Sequence, residues 1–452
     1  MTERVDVVVI GLGPGGEEVA GSLAEAGLSV VGIEERLVGG ECPYFACVPS
    51  KMMIRAANLL AESRRVDGMA GHAAVTPDWA PVAKRIRDEA TDDWDDKVAV
   101  DRLVGKGARF VRGSASLSGT GRAAVGDDVF EASLGVVLAT GTSPAIPPID
   151  GLAGTPYWTN RDAVKVEELP ASLIVLGGGA VGVELSQVFA RFGVRVTVVE
   201  AAERLVPLEE PESSTLVREA LERDGADVQV GAKVDRVAYS DGFTIHLHGG
   251  SSVAAEKLLV AAGRDTNLDR LGLDTVGLDP SGKFIEVDDR MKAGDKLWAI
   301  GDLTGKGAFT HVSMYQAGIV IPAIQGKDGP RADYRALPRV TFTDPEVGSV
   351  GLTEAQARER GLAVKTAVAQ IPSSARGWIH KTGNEGFIKL VVDADQDMLV
   401  GATSAGPTGG EVLSGLAVAV HGAVPVSSLR QMIFAYPTFH RAIGDALMTL
   451  GQ

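Results

Sequence analysis

Cys42 and Cys47 are the only thiols in 452 residues, and both lie in the segment Gly39-Gly40-Glu41-Cys42-Pro43-Tyr44-Phe45-Ala46-Cys47-Val48-Pro49-Ser50-Lys51. Two thiols cannot build a disulfide framework or a four-cysteine zinc site, so they act as a pair or sit as ordinary buried side chains. A disulfide needs Cα atoms within ~7 Å, whereas five residues of straight helix rise about 7.5 Å. A Cys42–Cys47 bond therefore requires a distorted turn, with Pro43 just inside it and Pro49 at its end. In a reducing compartment such a bond would be catalytic rather than structural.

Whatever chemistry the pair performs must be positioned by the elements around it, and those are marked by a repeat. Gly11-Leu12-Gly13-Pro14-Gly15-Gly16 follows the apolar run Val7 to Ile10 and precedes a helical stretch, Glu17 to Ala26. Gly27 breaks that helix, and a second strand, Leu28 to Ile33, ends in Glu34 beside Glu35. The same register recurs at Gly177-Gly178-Gly179-Ala180-Val181-Gly182, with Leu173 to Leu176 before it, Gly193 after the helix, and Val194 to Val199 ending in Glu200. In each unit glycines let the backbone approach a pyrophosphate at a helix N-terminus, and the carboxylate accepts hydrogen bonds from a ribose. Two units imply two dinucleotides, with Gly11, Gly13, Gly16 and Glu34 on one and Gly177, Gly179, Gly182 and Glu200 on the other. Glu200 repels the 2′-phosphate of NADPH, and Arg204 is the only nearby cation. NADH is therefore expected over NADPH.

Other apolar strands end in glycine plus a polar residue: Val136 to Thr140-Gly141, Leu258 to Gly263-Arg264, and Leu297 to Gly301-Asp302. Such ends suit domain crossings and contacts to phosphate or sugar. From Pro338 the texture changes to strand-like runs at Arg339 to Phe342, Phe387 to Val392 and Leu399 to Ala402. An apolar helical stretch, Glu411 to His421, and a last helix follow, together predicting a separate α+β domain. The expected architecture is α/β: two Rossmann-like dinucleotide-binding domains, 1–150 with 263–335 and 151–262, plus a C-terminal domain over 336–452.

Composition narrows the function classes. Apolar residues make up 45 % and charged ones 23 %, which excludes a disordered or fibrous chain. The net charge of −15 sets aside nucleic acid and anionic membranes as partners. The apolar run Val5 to Ile10 contains Asp6 and leads into glycines, so it reads as a buried strand and not a signal peptide. No uncharged apolar stretch approaches the ~20 residues that span a bilayer. A soluble cytoplasmic protein is expected, with no metal centre. His72, His246, His248, His311, His380 and His421 show no ligand spacing and are expected to face solvent.

Together these motifs resemble the flavin-dependent pyridine nucleotide–disulfide oxidoreductases, the family of dihydrolipoamide dehydrogenase, glutathione reductase and mercuric reductase. The resemblance spans the whole chain: the fingerprint from Gly11, the GG-x-C-x4-C-x-P-S-K segment, Ala139-Thr140-Gly141, the fingerprint from Gly177, Ala299 to Asp302, and Phe342-Thr343-Asp344-Pro345-Glu346-Val347-Gly348. It implies FAD on the first unit, NADH on the second, hydride delivery to the flavin, and a homodimer joined by the last domain. Cys47 resembles the cysteine nearest the flavin and Cys42 the interchange thiol that attacks substrate. Lys51 resembles the lysine near the flavin, paired with Glu184. Asp302 resembles the residue that holds the ribityl or phosphate end of FAD, with Glu35, Gly40, Thr140, Gly141, Gly263, Arg264 and Gly301 as further cofactor contacts.

The chain departs from the family at its C-terminal signature. Relatives carry His-Pro-x-x-x-Glu, whose histidine serves the interchange thiol of the other subunit; here the stretch is Tyr436-Pro437-Thr438-Phe439-His440-Arg441. Tyrosine titrates near ~10 and is a poor base at neutral pH, unlike imidazole near ~6.5. Either His440, one helical turn beyond Tyr436, takes the role, or Tyr436 only donates a hydrogen bond; in a third reading His440 is surface or interface packing without a chemical role. The expected reaction is reduction of a small disulfide through Cys42 and Cys47. Rivals are a diaphorase or quinone reductase acting from the flavin, and a flavin redox sensor without turnover. The mercuric reductase reaction is disfavoured because no C-terminal cysteine pair remains.

Overall fold

The computed structural model describes residues 2–450, and the chain divides into two compact units. The first comprises residues 1–50, 83–145 and 263–333; the second comprises 51–82, 146–262 and 334–452.

The first unit is built on a sheet ordered Lys292–Gly294, Leu297–Ala299, Asp128–Leu138, Thr2–Ile10, Val30–Glu34, Arg109–Arg112. From Leu297–Ala299 onward the strands are parallel, so crossovers place helices on both faces. The burial of successive residues shows the result directly. Val8, Ile10, Val31, Ile33, Val136 and Leu138 enter one core, and their neighbours Val7, Val9, Val30 and Val137 enter the other. Each such side chain, fully buried, contributes roughly 1.5–3 kcal/mol of transfer free energy. Helix α1 (Pro14–Glu25) starts inside the glycine loop, three residues earlier than the expected Glu17, because Pro14 is pre-set for the first helical position. The helix Thr310–Ile324 packs on it closely enough that a Cβ at Gly15 would lie 2.8 Å from the Ser313 carbonyl oxygen.

Two helices carry the thiols. Helix α2 spans Glu41–Tyr44 and α3 spans Cys47–Arg64, with Phe45 and Ala46 between them. The helix is thus broken inside the cysteine segment, as a close approach of the two thiols requires. Pro49, expected to end the turn, instead sits in the first turn of α3, where the amide it lacks has no intrahelical partner to lose.

The second unit holds a parallel sheet ordered Asp227–Gln229, Arg195–Val199, Ser172–Leu176, Lys257–Val260, and a three-stranded antiparallel sheet over 234–255. The helix Ala180–Arg191 is buried along most of its length, including Glu184, Gln187 and Arg191. The C-terminal part is a five-stranded antiparallel sheet, ordered Pro338–Thr341, Glu346–Gly351, Met398–Gly406, Phe387–Asp393, Val364–Gln370. The helices Gly409–His421 and Arg441–Thr449 cover it. One buried cation, Lys389, ties this sheet to the start of the helix Pro211–Arg223, bonding Glu210 at 3.0 Å and Glu212 at 2.8 Å.

Candidate active site

The two glycine units have one geometry. Gly11 and Gly177 take φ of +89° and +115°, a left-handed conformation that a side chain resists. A Cβ there would lie 2.5 Å from the Ala139 carbonyl oxygen at Gly11 and would strike the Ala261 carbonyl at Gly177. Gly16 and Gly182 pack so tightly that a Cβ would strike the Gly11 and Gly177 carbonyl oxygens. Between them, a Cβ at Gly13 or Gly179 would meet nothing within 4 Å, so open space fronts the N-termini of α1 and of the helix Ala180–Arg191. Glu34 accepts the Leu12 amide at 2.8 Å and the Arg36 amide at 2.8 Å. Glu200 accepts the Gly178 amide at 2.5 Å and the Ala202 amide at 2.6 Å. Each carboxylate thus ties its glycine loop to the end of the second strand. Burial pushes the Glu34 carboxyl up from the usual range, against the pull of those two amides. Glu35 is exposed and faces Arg36 at 3.9 Å.

The cysteine segment is seated on the first of these loops. The Gly39 amide donates to the Leu12 carbonyl at 2.7 Å, and a Cβ at Gly40 would lie 2.9 Å from the Gly13 Cα. Cys42 and Cys47 are both half-buried. The Cys47 Sγ lies 3.4 Å from the Thr310 Oγ1 at the start of the helix Thr310–Ile324. A hydroxyl there can donate to a thiolate and favour its charge. Sequence reasoning missed Thr310; its only signal is its position opening an apolar helix.

A polar chain runs beside the thiols through the strand ends. Asp302 accepts from the Thr142 hydroxyl at 2.6 Å, the Arg264 Nε donates to that hydroxyl at 2.9 Å, and Arg264 lies 3.7 Å from Glu41, next to Cys42. Thr140 is exposed, Gly141 has open space around it at φ +63°, and the Gly301 amide donates to Gln316 at 2.6 Å. Gly263 sits at φ +127°, its carbonyl accepting the Ala145 amide.

In the second unit Lys51 Nζ meets Glu184 Oε2 at 2.7 Å and lies 4.5 Å from the Phe342 ring centre. The other Glu184 oxygen accepts the Phe342 amide at 2.8 Å, so a buried carboxylate is satisfied on both sides. Tyr436 is 73 % exposed. The helical turn expected to relate Tyr436 to His440 is absent: the last helix begins at Arg441, with His440 as its N-cap. His440 borders a cavity of about 520 Å³ together with Arg376 and Glu411. Arg441, at the position of the family's glutamate, pairs with Asp445. Among the other histidines, His72, His248, His311 and His421 are exposed, whereas His246 and His380 are half-buried, against Arg236 and Phe439. Among the described residues no group of three or more His, Cys, Asp or Glu is placed to hold a metal, and no helix is long and apolar enough to cross a membrane.

Residues 5–317 match the pyridine nucleotide-disulphide oxidoreductase family, and residues 337–447 match its dimerisation domain. The chain belongs to this family. The dihydrolipoyl dehydrogenase of Chlorobaculum tepidum is 33 % identical, with 100 % of this chain and 99 % of that one aligned. A mercuric reductase of Staphylococcus aureus is 31 % identical over 99 % of this chain and 82 % of that one. Among solved structures, the HOCl-induced flavoprotein disulfide reductase RclA of Escherichia coli matches with a TM-score of 0.86 at 25 % identity over 99 % of both chains. LpdA of Mycobacterium tuberculosis matches at 0.85 and 26 % identity, over 98 % of this chain and 99 % of that one. As a pyridine nucleotide-disulphide oxidoreductase the protein uses FAD and NAD(P)H, on two Rossmann-like folds plus a dimerisation domain. The open cradles at Gly13 and Gly179 and the paired carboxylates Glu34 and Glu200 fit two dinucleotides.

Proposed function

We propose that this enzyme reduces a small disulfide with NADH, using Cys42 and Cys47 as its redox pair. One observation carries the reading: the segment bearing both thiols is seated on the first dinucleotide loop, through Gly39 to Leu12 and Gly40 against Gly13. FAD held on that loop would supply the two-electron relay between nicotinamide and the pair. The sum is one NADH, one proton and one disulfide giving NAD and two thiols.

The chain's own groups divide the work. Cys47, with the Thr310 hydroxyl beside it, holds a thiolate next to the cofactor. Cys42 attacks the substrate sulfur and passes through a mixed disulfide, which Cys47 resolves to release the second thiol. We assign Lys51, held by Glu184, to the flavin, and Gly40, Thr140, Gly141, Gly263, Arg264, Gly301 and Asp302 to FAD. Glu35, exposed beside Arg36, is assigned to FAD as well. The FAD domain is assigned to 1–150 and 263–335, the NAD domain to 151–262, and the interface domain to 336–452. A homodimer lets the last domain of one subunit complete the site of the other, with His440 or Tyr436 handling the proton of the Cys42 thiol.

A quinone reduced directly from the flavin is the second reading, favoured by the tyrosine that stands where relatives carry their histidine. The Cys42→Ser variant separates the two. NADH-dependent reduction of lipoamide and low-molecular-weight disulfides should fall at least about a thousandfold, the scale of losing a covalent nucleophile. Retained disulfide turnover would sink the proposal. Quinone turnover that survives in the variant, with no disulfide accepted by the parent enzyme, identifies the second reading. A holoenzyme that turns over no acceptor at all points instead to a redox sensor.

A further inference from the structure

Cys42 lies in α2, a helix of only four residues between Gly40, at φ +67°, and Phe45. A piece this short has no helical stability of its own, so its geometry is set by what grips it. Two grips come from one stretch of chain. The Asp96 carboxylate accepts the Val38 amide at 2.7 Å, with both residues buried. The Trp94 indole Nε1–H donates to the Tyr44 carbonyl at 3.0 Å. That carbonyl is the last of α2, one of the groups a helix end leaves without an intrahelical partner. The fixed points therefore stand on either side of Cys42, four residues before it and two after.

The gripping segment is itself unusual. Asp92, Asp93 and Trp94 take φ of +49°, +54° and +58°, three consecutive non-glycine residues in the left-handed region. They follow a π-helical turn at Ile86–Ala90. Such backbone persists only where its surroundings over-determine it. Here the Asp93 amide donates to the Arg87 carbonyl at 2.8 Å, and the buried Thr91 hydroxyl donates to the Ile86 carbonyl at 3.0 Å. The exposed side chains of Asp92 and Asp93 give no reason for this path; what it does is carry the half-buried Trp94 to the end of α2, where its indole donates.

We propose that Trp94 is a positioning residue for the redox pair, fixing the C-terminal end of α2 so that the Cys42 sulfur is presented to Cys47. The proposal rests on the reading of Cys42 and Cys47 as that pair. Its consequence is thermodynamic: a clamped loop raises the effective concentration of one sulfur at the other and so favours the disulfide.

The test equilibrates the holoenzyme in buffers of oxidised and reduced dithiothreitol, traps thiols by alkylation, and reads the oxidised fraction from the mass of the Cys42–Cys47 peptide. In the exchange the two protein thiols become a disulfide, and the cyclic disulfide of the reagent becomes two thiols, taking two electrons and two protons. Trp94→Phe keeps the aromatic ring and loses the donor; its oxidation constant should fall about three- to tenfold, the range that one hydrogen bond covers. Val98→Ser, at an exposed neighbouring position, should leave the constant unchanged. Trp94→Leu should shift it at least as far, and where that variant does not fold the Phe variant decides alone. Thermal unfolding measured alongside distinguishes a general loss of stability, which lowers Tm without moving the constant of the folded protein. An unchanged constant in Trp94→Phe overturns the positioning role. A parent enzyme that forms no Cys42–Cys47 disulfide at any buffer ratio overturns the redox reading itself.

Discussion

The proposed preference of the second dinucleotide loop for NADH rests on two residues, Glu200 and Arg204. Glu200 already accepts two backbone amides, and in the proposed assignment its negative charge faces the ribose. Arg204, the one nearby cation in the sequence, spends its guanidinium on the Ser214 hydroxyl at 2.7 Å and the Pro207 carbonyl at 2.7 Å. An NADPH phosphate would have to pull it from both. Comparison of kcat/KM for the two nucleotides should therefore favour NADH by at least about tenfold, since an unpaired phosphate facing a carboxylate costs on the order of 1.4 kcal/mol or more. Equal or reversed preference would refute the assignment of Glu200. The carboxylate at this position was legible from its register with the glycines. The occupation of Arg204 was not, because its partners depend on how the turn over 205–207 folds back under Ser214.

At the scale of an element, each strand–glycine loop–helix unit separates folding from binding by position. Gly16→Ala and Gly182→Ala place a methyl group against a backbone carbonyl that cannot move without opening the helix–strand contact, and should cost about 1–3 kcal/mol of stability in denaturant unfolding. Gly13→Ala meets nothing in the protein, at an ordinary φ of −67°, and should fold with stability within about 1 kcal/mol of the parent. Its methyl instead enters the space that the pyrophosphate must approach, so FAD affinity should drop at least about tenfold, and Gly179→Ala should do the same to NADH. Full FAD retention in Gly13→Ala would contradict the cradle. The glycine register was readable from sequence because it is local, but the division was not: it depends on packing that includes Ala139, more than a hundred residues away, which closes on both Gly11 and Gly16. The break between α2 and α3 was also readable, as a need for distortion between Cys42 and Cys47. Its form was not, since Phe45 and Ala46 carry no turn signature and Pro49 fits a helix's first turn as well as its end.

For the whole molecule, the C-terminal domain leaves large apolar side chains in the open: Ile433 at 98 %, Trp378 at 75 %, Tyr436 at 73 % and Met448 at 67 % exposed. A monomer rarely tolerates that, and a dimerisation domain explains it. Sedimentation velocity should show a particle of twice the chain mass at micromolar concentration, and Ile433→Asp should shift it toward monomer with loss of disulfide turnover, as the proposal that the partner's domain completes each site requires. A stable monomer with full activity would overturn the dimer.

Sequence alone determined the two dinucleotide units, the thiol pair and the change to an antiparallel C-terminal domain, since each is written in a periodicity or spacing spanning a few tens of residues. Only the tertiary structure decided which distant groups meet the thiol-bearing segment: Thr310 at Cys47, 263 residues along the chain, and Trp94 at the carbonyl of Tyr44. It also decided that His440 caps a helix and does not lie one turn along it from Tyr436. Such contacts follow from how packed layers bring strand ends and helix termini together, and chain spacing carries no record of that.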